Sequence, residues 1–314
     1  MEHRKIQLVA GTTYQISLPK PWVQKNNLKE GKELLVLERS DRSLIITTHY
    51  EESLTREKIT INVDLYQNQI DRVLFELYYV GFSIIDLISK HPLEKKTKGI
   101  IRQTINCMSG TEITYEDEHK ITVTVMLDRS KVDITQALYR IVLLIKQSID
   151  HLIEEQDGED LELNEEEIDR LYHLITKIVS LAAIRTDILL SSKIKHAGVI
   201  PNYFLVAKKL ENIGDDIFFL GKEHRSREKI KMTNEEKEIL LFLQSELDRT
   251  IRCILADFPS VLTRPEHYES ERTKARGLKH HKHEYYNLLR NLKDIQEEVM
   301  SISFLKQIVR EGKI

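Results

Sequence analysis

The sequence is short of the residues that staple, bend or thread a chain. Its 314 residues include two cysteines, Cys107 and Cys253, far apart and outside any CxxC. That excludes a disulfide framework and a zinc knuckle, and a cytoplasmic chain with reduced thiols is expected. Eleven glycines and six prolines are too few and too scattered for a loop that cradles a nucleotide. GxSxG and HExxH are missing as well, so no enzyme is expected. No apolar run reaches the roughly 18 residues of a membrane span, so no membrane insertion is expected. The polar stretch 1–5 leads straight into a strand pattern, which predicts no secretory leader.

What is present is charge, unevenly placed. The formal net charge is −3. Residues 1–32 nevertheless carry Arg4, Lys5, Lys20, Lys25, Lys29 and Lys32 against Glu2 and Glu30, six minus two, or +4. A basic head on an acidic body suits contact with a polyanion at one end.

The head reads as a small β module. Ile6 and Leu8, then Tyr14, Ile16 and Leu18, alternate with polar residues, the period of half-buried strands. Gly11 turns the first hairpin. Pro21 suits the first turn of a short helix over 22–27, and Gly31 ends it with a positive φ. Strands over 34–37 and 44–47 form a second hairpin around Ser40, Asp41 and Arg42. Trp22 reads as core, and so does Tyr14 by its alternation with Ile16. About fifty residues cannot enclose a core alone, so a homodimer is expected. On its surface Arg4, Lys5, Lys20, Lys25 and Lys29 are the candidates for contacts to DNA phosphates.

Residues 51–62 are polar and read as a linker. From 63 onward the pattern is helical. Leu65, Ile70, Val73, Leu74, Leu77, Ile84, Ile85 and Ile88 keep helical spacing up to the His91-Pro92 break. A second helix is predicted over 94–108 and a β-hairpin over 111–125, completing a segment 63–126. Helices over 131–156, 163–193, 199–224, 233–258 and 270–311 then form a bundle region, 127–314, with Pro201, Pro259 and Pro265 at the junctions. The run 154–169 holds ten carboxylates in sixteen residues and reads as a solvated turn with acids at a helix start.

Two acid pairs stand out. Glu211 and Asp215 lie four apart on one helix face, beside a stripe of Ala207, Leu210, Gly214, Ile217 and Gly221 that admits a close neighbour. Glu165 and Asp169 have the same spacing on the preceding helix. The pairs are either solvated or ligands for a divalent cation, which takes carboxylate oxygens; spacing alone leaves open whether they converge. His280, His281 and His283 read as a polar helix start more readily than as transition-metal ligands. His173 and His196 read as structural.

Two family resemblances follow from these residues. Residues 4–48 resemble the SpoVT/AbrB swapped-hairpin domain through Arg4-Lys5, the Gly11 turn, Tyr14-x-Ile16-x-Leu18-Pro19-Lys20-x-Trp22, Leu28-Lys29-x-Gly31 and the apolar strand from Leu34. The departure is Lys32, where that family commonly has Asp after the Gly. The resemblance implies two chains interleaving into one β core and binding DNA. Residues 127–225 resemble one PhoU three-helix bundle through Glu165-Glu166-Glu167-Ile168-Asp169-Arg170 and Leu210-Glu211-Asn212-Ile213-Gly214-Asp215. That resemblance implies metal binding, often iron or zinc, by Glu165, Asp169, Glu211 and Asp215. A second such bundle matches poorly, since Lys293 stands where its acid would be. The expected fold is therefore mainly α: a small dimeric N-terminal swapped-hairpin β domain, then PhoU-like antiparallel bundles with one β-hairpin insertion. The expected function is a DNA-binding transcriptional regulator of phosphate uptake. The alternative is an adaptor that restrains a phosphate transporter or its signalling partner and uses the head only to dimerise.

Overall fold

The computed structural model describes residues 3–38, 43–47, 56–66, 68–154, 159–194, 196–226, 232–255 and 268–311. The chain is mainly helical and divides into two compact units, Met1–Leu54 and Thr55–Ile314.

The first unit holds two separate hairpins. Strands β1 (Gln7–Val9) and β2 (Thr13–Gln15) pair antiparallel with Leu8 opposite Tyr14. Ala10 and Gly11 turn them with positive φ, 52° and 74°. Helix α1 (Lys20–Lys25) carries Pro21 in its first turn, where a missing N–H costs nothing. Gly31 takes a φ of 83° as expected. Strands β3 (Leu35–Glu38) and β4 (Leu44–Thr47) form the second hairpin; the expected turn at Ser40, Asp41 and Arg42 lies outside the described residues. In the single chain Tyr14 is 75% exposed and Trp22 half-buried.

The second unit opens with an α/β layer. Residues 56–62, assigned to the linker 51–62 by composition, form strand β5 (Arg56–Asn62). Helix α2 (Ile70–Val80) follows, and Gly81, at φ 98°, stops it in a left-handed cap. The helix expected to run through to Ile88 therefore ends eight residues early. Strand β6 (Phe82–Ile88) takes its place, because Ile84, Ile85 and Ile88 fit a pleated surface as well as a helical one. Helix α3 (Lys95–Asn106) and the hairpin β7 (Thr111–Glu116) and β8 (Lys120–Val125) complete a four-stranded sheet, order β5-β6-β8-β7, with β5 and β6 parallel. The hairpin was legible, but its sheet was not. Ile85, Leu87, Ile121 and Val123 point into a core shared with Leu74, Tyr78 and Ile101.

The bundle follows: α4 (Ile134–Ile153), α5 (Glu159–Ala182), the short α6 (Thr186–Ser191), α7 (Ile200–Ser226), α8 (Asn234–Leu255), α9 (Tyr268–Gly277) and α10 (Lys282–Arg310). Asp133 caps α4 by accepting from the amides of Thr135 and Gln136. The expected helix 163–193 is two helices, α5 and α6. The expected helix 270–311 breaks between α9 and α10. Helix α7 packs against α4, α5 and α10 around one apolar core. Glycines let α5 and α7 close up: a Cβ at Gly214 would meet Ile168 at 3.1 Å, and one at Gly221 would meet Leu161 at 2.6 Å.

The α/β layer is fastened to the bundle through the end of α2. Lys177 on α5 is fully buried and donates from Nζ to the Tyr78 carbonyl at 2.7 Å. Arg129 donates to the Gly81 carbonyl at 3.0 Å. Two side-chain donors thus meet carbonyls at the negative end of one helix dipole.

Candidate nucleic-acid interface and carboxylate site

In the head, Arg4, Lys5, Lys20, Lys25 and Lys29 are all exposed: Lys20 and Lys25 lie on α1, Arg4 and Lys5 just before β1, and Lys29 in the loop after α1. Lys5, Lys20, Lys25 and Lys29 make no ion pair with a described residue, so their charge is open to a polyanion. The apolar side chains of the head are exposed as well. Ile6, Leu8, Tyr14, Ile16, Val36 and Leu44 all lie open, and no described residue of the head is buried. A single chain leaves these side chains in water, and so many exposed apolar residues in one small module fit a surface that a partner covers.

The carboxylates come next. Glu165 and Asp169 lie one turn apart on α5, and the close α5–α7 contact at Gly214 sets Asp215 beside them. Oxygens of these three carboxylates fall within 4.8 Å of one another. Burial, then Glu165 and Asp215, pushes the Asp169 carboxyl up to about 7. Burial and then Asp215 raise Glu165 too. Like charges this close resist ionising together. Asp215 is the exposed member.

The fourth candidate, Glu211, does not join them. Lys208 donates to its two oxygens at 2.7 and 2.6 Å. Burial still pushes Glu211 up to about 6, outweighing the lysine. Lys208 was missed in the sequence, although its i,i+3 spacing to Glu211 is a readable signal. Further along the same face of α5, His173 stacks on Phe75 with ring centres 3.8 Å apart and hydrogen-bonds the Tyr79 hydroxyl. Burial drops His173 to about 4, so it is a neutral, structural imidazole. Glu165, Asp169, His173 and Lys177 recur every fourth residue, a periodicity visible in the sequence. Chemically, three clustered carboxylates with all-oxygen donors suit a hard or borderline divalent cation, which would neutralise the repulsion.

Residues 7–52 match a family model described as antidote-toxin recognition MazE, bacterial antitoxin. The match covers the head and supports a MazE/AbrB-type swapped-hairpin module; it suggests dimerisation and fits a DNA-binding regulator or an antitoxin. No curated protein and no solved structure matches the chain.

Proposed function

We propose that the chain is a homodimeric DNA-binding transcriptional regulator whose helical unit carries a divalent-cation site and links DNA binding to phosphate status. The observation that carries the DNA-binding half is the head: free lysines and an uncovered apolar surface in one module of MazE/AbrB type. Two copies would bury the apolar residues and present the lysines with twofold symmetry, which matches paired half-sites on a duplex. Glu165, Asp169 and Asp215 would hold the cation, with Glu211 kept aside by Lys208. The phosphate link rests on the PhoU-like residues of 127–225. In this reading the helical unit would also dock on a phosphate transporter or its signalling component.

The test is a gel-shift titration of the full chain against its own promoter DNA at two salt concentrations. Binding should weaken steeply with salt, and Lys20→Ala should weaken it by about the same factor on every sequence. Absence of binding at low salt would leave the adaptor reading, in which the head only dimerises the chain. The family description favours a second reading, an antitoxin-type head that recognises a protein toxin. Salt-insensitive binding to a protein partner, with none to DNA, would select it.

A further inference from the structure

A cleft opens where α2 of the α/β layer meets α5 and α7 of the bundle. It measures about 540 Å3, the size of a site for a small organic molecule. Tyr79 and Val80 from α2, Tyr172 from α5 and Phe204 from α7 line it, and Ile184, 67% exposed, lies beside them. Glu76 is the one charged residue among the described residues that line the cleft, and the other polar side chains there are hydroxyls. Glu76 is exposed and makes no ion pair with a described residue. Burial, then Tyr172 and Glu76, pushes the Tyr79 hydroxyl up, so that ring stays neutral beside the carboxylate.

The rings are held in place by their neighbours. The His173 ring centre lies 5.2 Å from that of Tyr172 and 6.0 Å from that of Tyr79, whose hydroxyl hydrogen-bonds the imidazole. Tyr172 and Phe204 stand 6.4 Å apart, inclined by 41°. Two rings at that separation leave room for one cation within about 6 Å of both, the reach of a cation–π contact. Tyr172 already accepts such a contact, because Lys208 Nζ lies 5.0 Å from its ring centre. That lysine does not line the cleft, and Glu211 balances its charge. An anion would meet the Glu76 carboxylate and the negative ring faces. A calcium or magnesium ion would lack the roughly six oxygens it takes. A weakly hydrated organic cation suits the carboxylate and the rings together. We infer that this cleft binds a small organic cation of the quaternary-ammonium class. Its head sits against Tyr172 and Phe204 with Glu76 as counter-charge, and its apolar part against Val80 and Ile184. The walls come from both the α/β layer and the bundle, so the bound cation ties the two together. The site does not depend on the function proposed above.

The experiment is a ligand-observed NMR titration of the full chain with choline and with dimethylbutanol, its uncharged carbon isostere. Choline should bind at least about ten-fold more tightly than the isostere. Glu76→Gln, an exposed substitution, should weaken choline binding by about three- to five-fold. Phe204→Leu keeps an apolar side chain while removing the ring, and should weaken it by about ten-fold. Glu112→Gln, exposed on β7 and outside the cleft, should leave it unchanged. Circular dichroism checks the fold of each variant; should Phe204→Leu misfold, Glu76→Gln decides alone. The inference is overturned if choline does not bind, if dimethylbutanol binds as tightly, or if Glu76→Gln binds choline unchanged.

Discussion

Burial acts on individual ionisable residues here with opposite signs. It pushes Asp169 up to about 7 from an ordinary 3.8 and drops Lys177 to about 6 from 10.5. For Asp169 the folded chain binds more protons than the unfolded chain between those two values. Its contribution to stability is therefore fully present below pH 3.8 and is lost as pH rises through about 7. Lys177 does the reverse: the folded chain binds fewer protons, and stability is regained as pH rises from about 6 towards 10.5. The two trends overlap, so the pH profile of the native chain alone cannot separate them. A difference between variants can. In chelator at pH 8, Asp169→Asn should be more stable than the native chain by about 1–2 kcal/mol, and the gap should shrink towards pH 4. Chemical denaturation at the two pH values measures it. A variant less stable than the native chain at pH 8 would mean that Asp169 is held by an attraction rather than crowded by Glu165 and Asp215.

At the scale of elements, Gly81 decides the architecture of the α/β layer. It ends α2 with a φ of 98°, and a Cβ there would meet Leu181 at 2.9 Å. Gly81→Ala should therefore cost about 2 kcal/mol, combining a left-handed backbone that alanine avoids with overpacking against α5. Urea unfolding reads this directly; an unchanged midpoint would show that the cap is not rigid. The same residue marks where the sequence misleads. Ile70, Val73, Leu74 and Leu77 fit a helix, and Ile84, Ile85 and Ile88 extend the same spacing, so apolar periodicity runs through the turn without a break. The break lies in the glycine and in the β-branched residues after it. Strand β5 was hidden for another reason. Its outward positions are polar, and what holds them is distant: Lys58 and Lys120 both pair with Asp86, which the sheet buries. By contrast, the long bundle helices were legible from their apolar faces, although the breaks that set off α6 and separate α9 from α10 were not. The carboxylate cluster was legible as two i,i+4 pairs. Its final membership was not, because Lys208 captures Glu211 through a choice of side-chain conformation.

At the scale of the whole molecule, the two units meet the requirement for a core differently. The helical unit encloses its own, from Ile134 through Ile302. The head encloses none among its described residues: Leu8 is 56% exposed, Ile16 49% and Tyr14 75%. Each such side chain, if fully buried, contributes about 1.5–3 kcal/mol. Several of them covered by a second copy would make a tight dimer, because every apolar residue enters the contact twice under twofold symmetry. Replacing Ile16 by Asp places two carboxylates in that contact, where charge without a partner is costly. Sedimentation should then show the native chain as a dimer and Ile16→Asp as a monomer. Because the helical unit has its own core, its thermal transition should survive the substitution. DNA affinity should fall by at least about 100-fold, since a monomer loses the second half-site that a twofold reader engages. A native chain that sediments as a monomer with its head folded would mean that the apolar surface serves a different partner. An Ile16→Asp chain that stays dimeric and binds DNA would place the dimer contact in the helical unit.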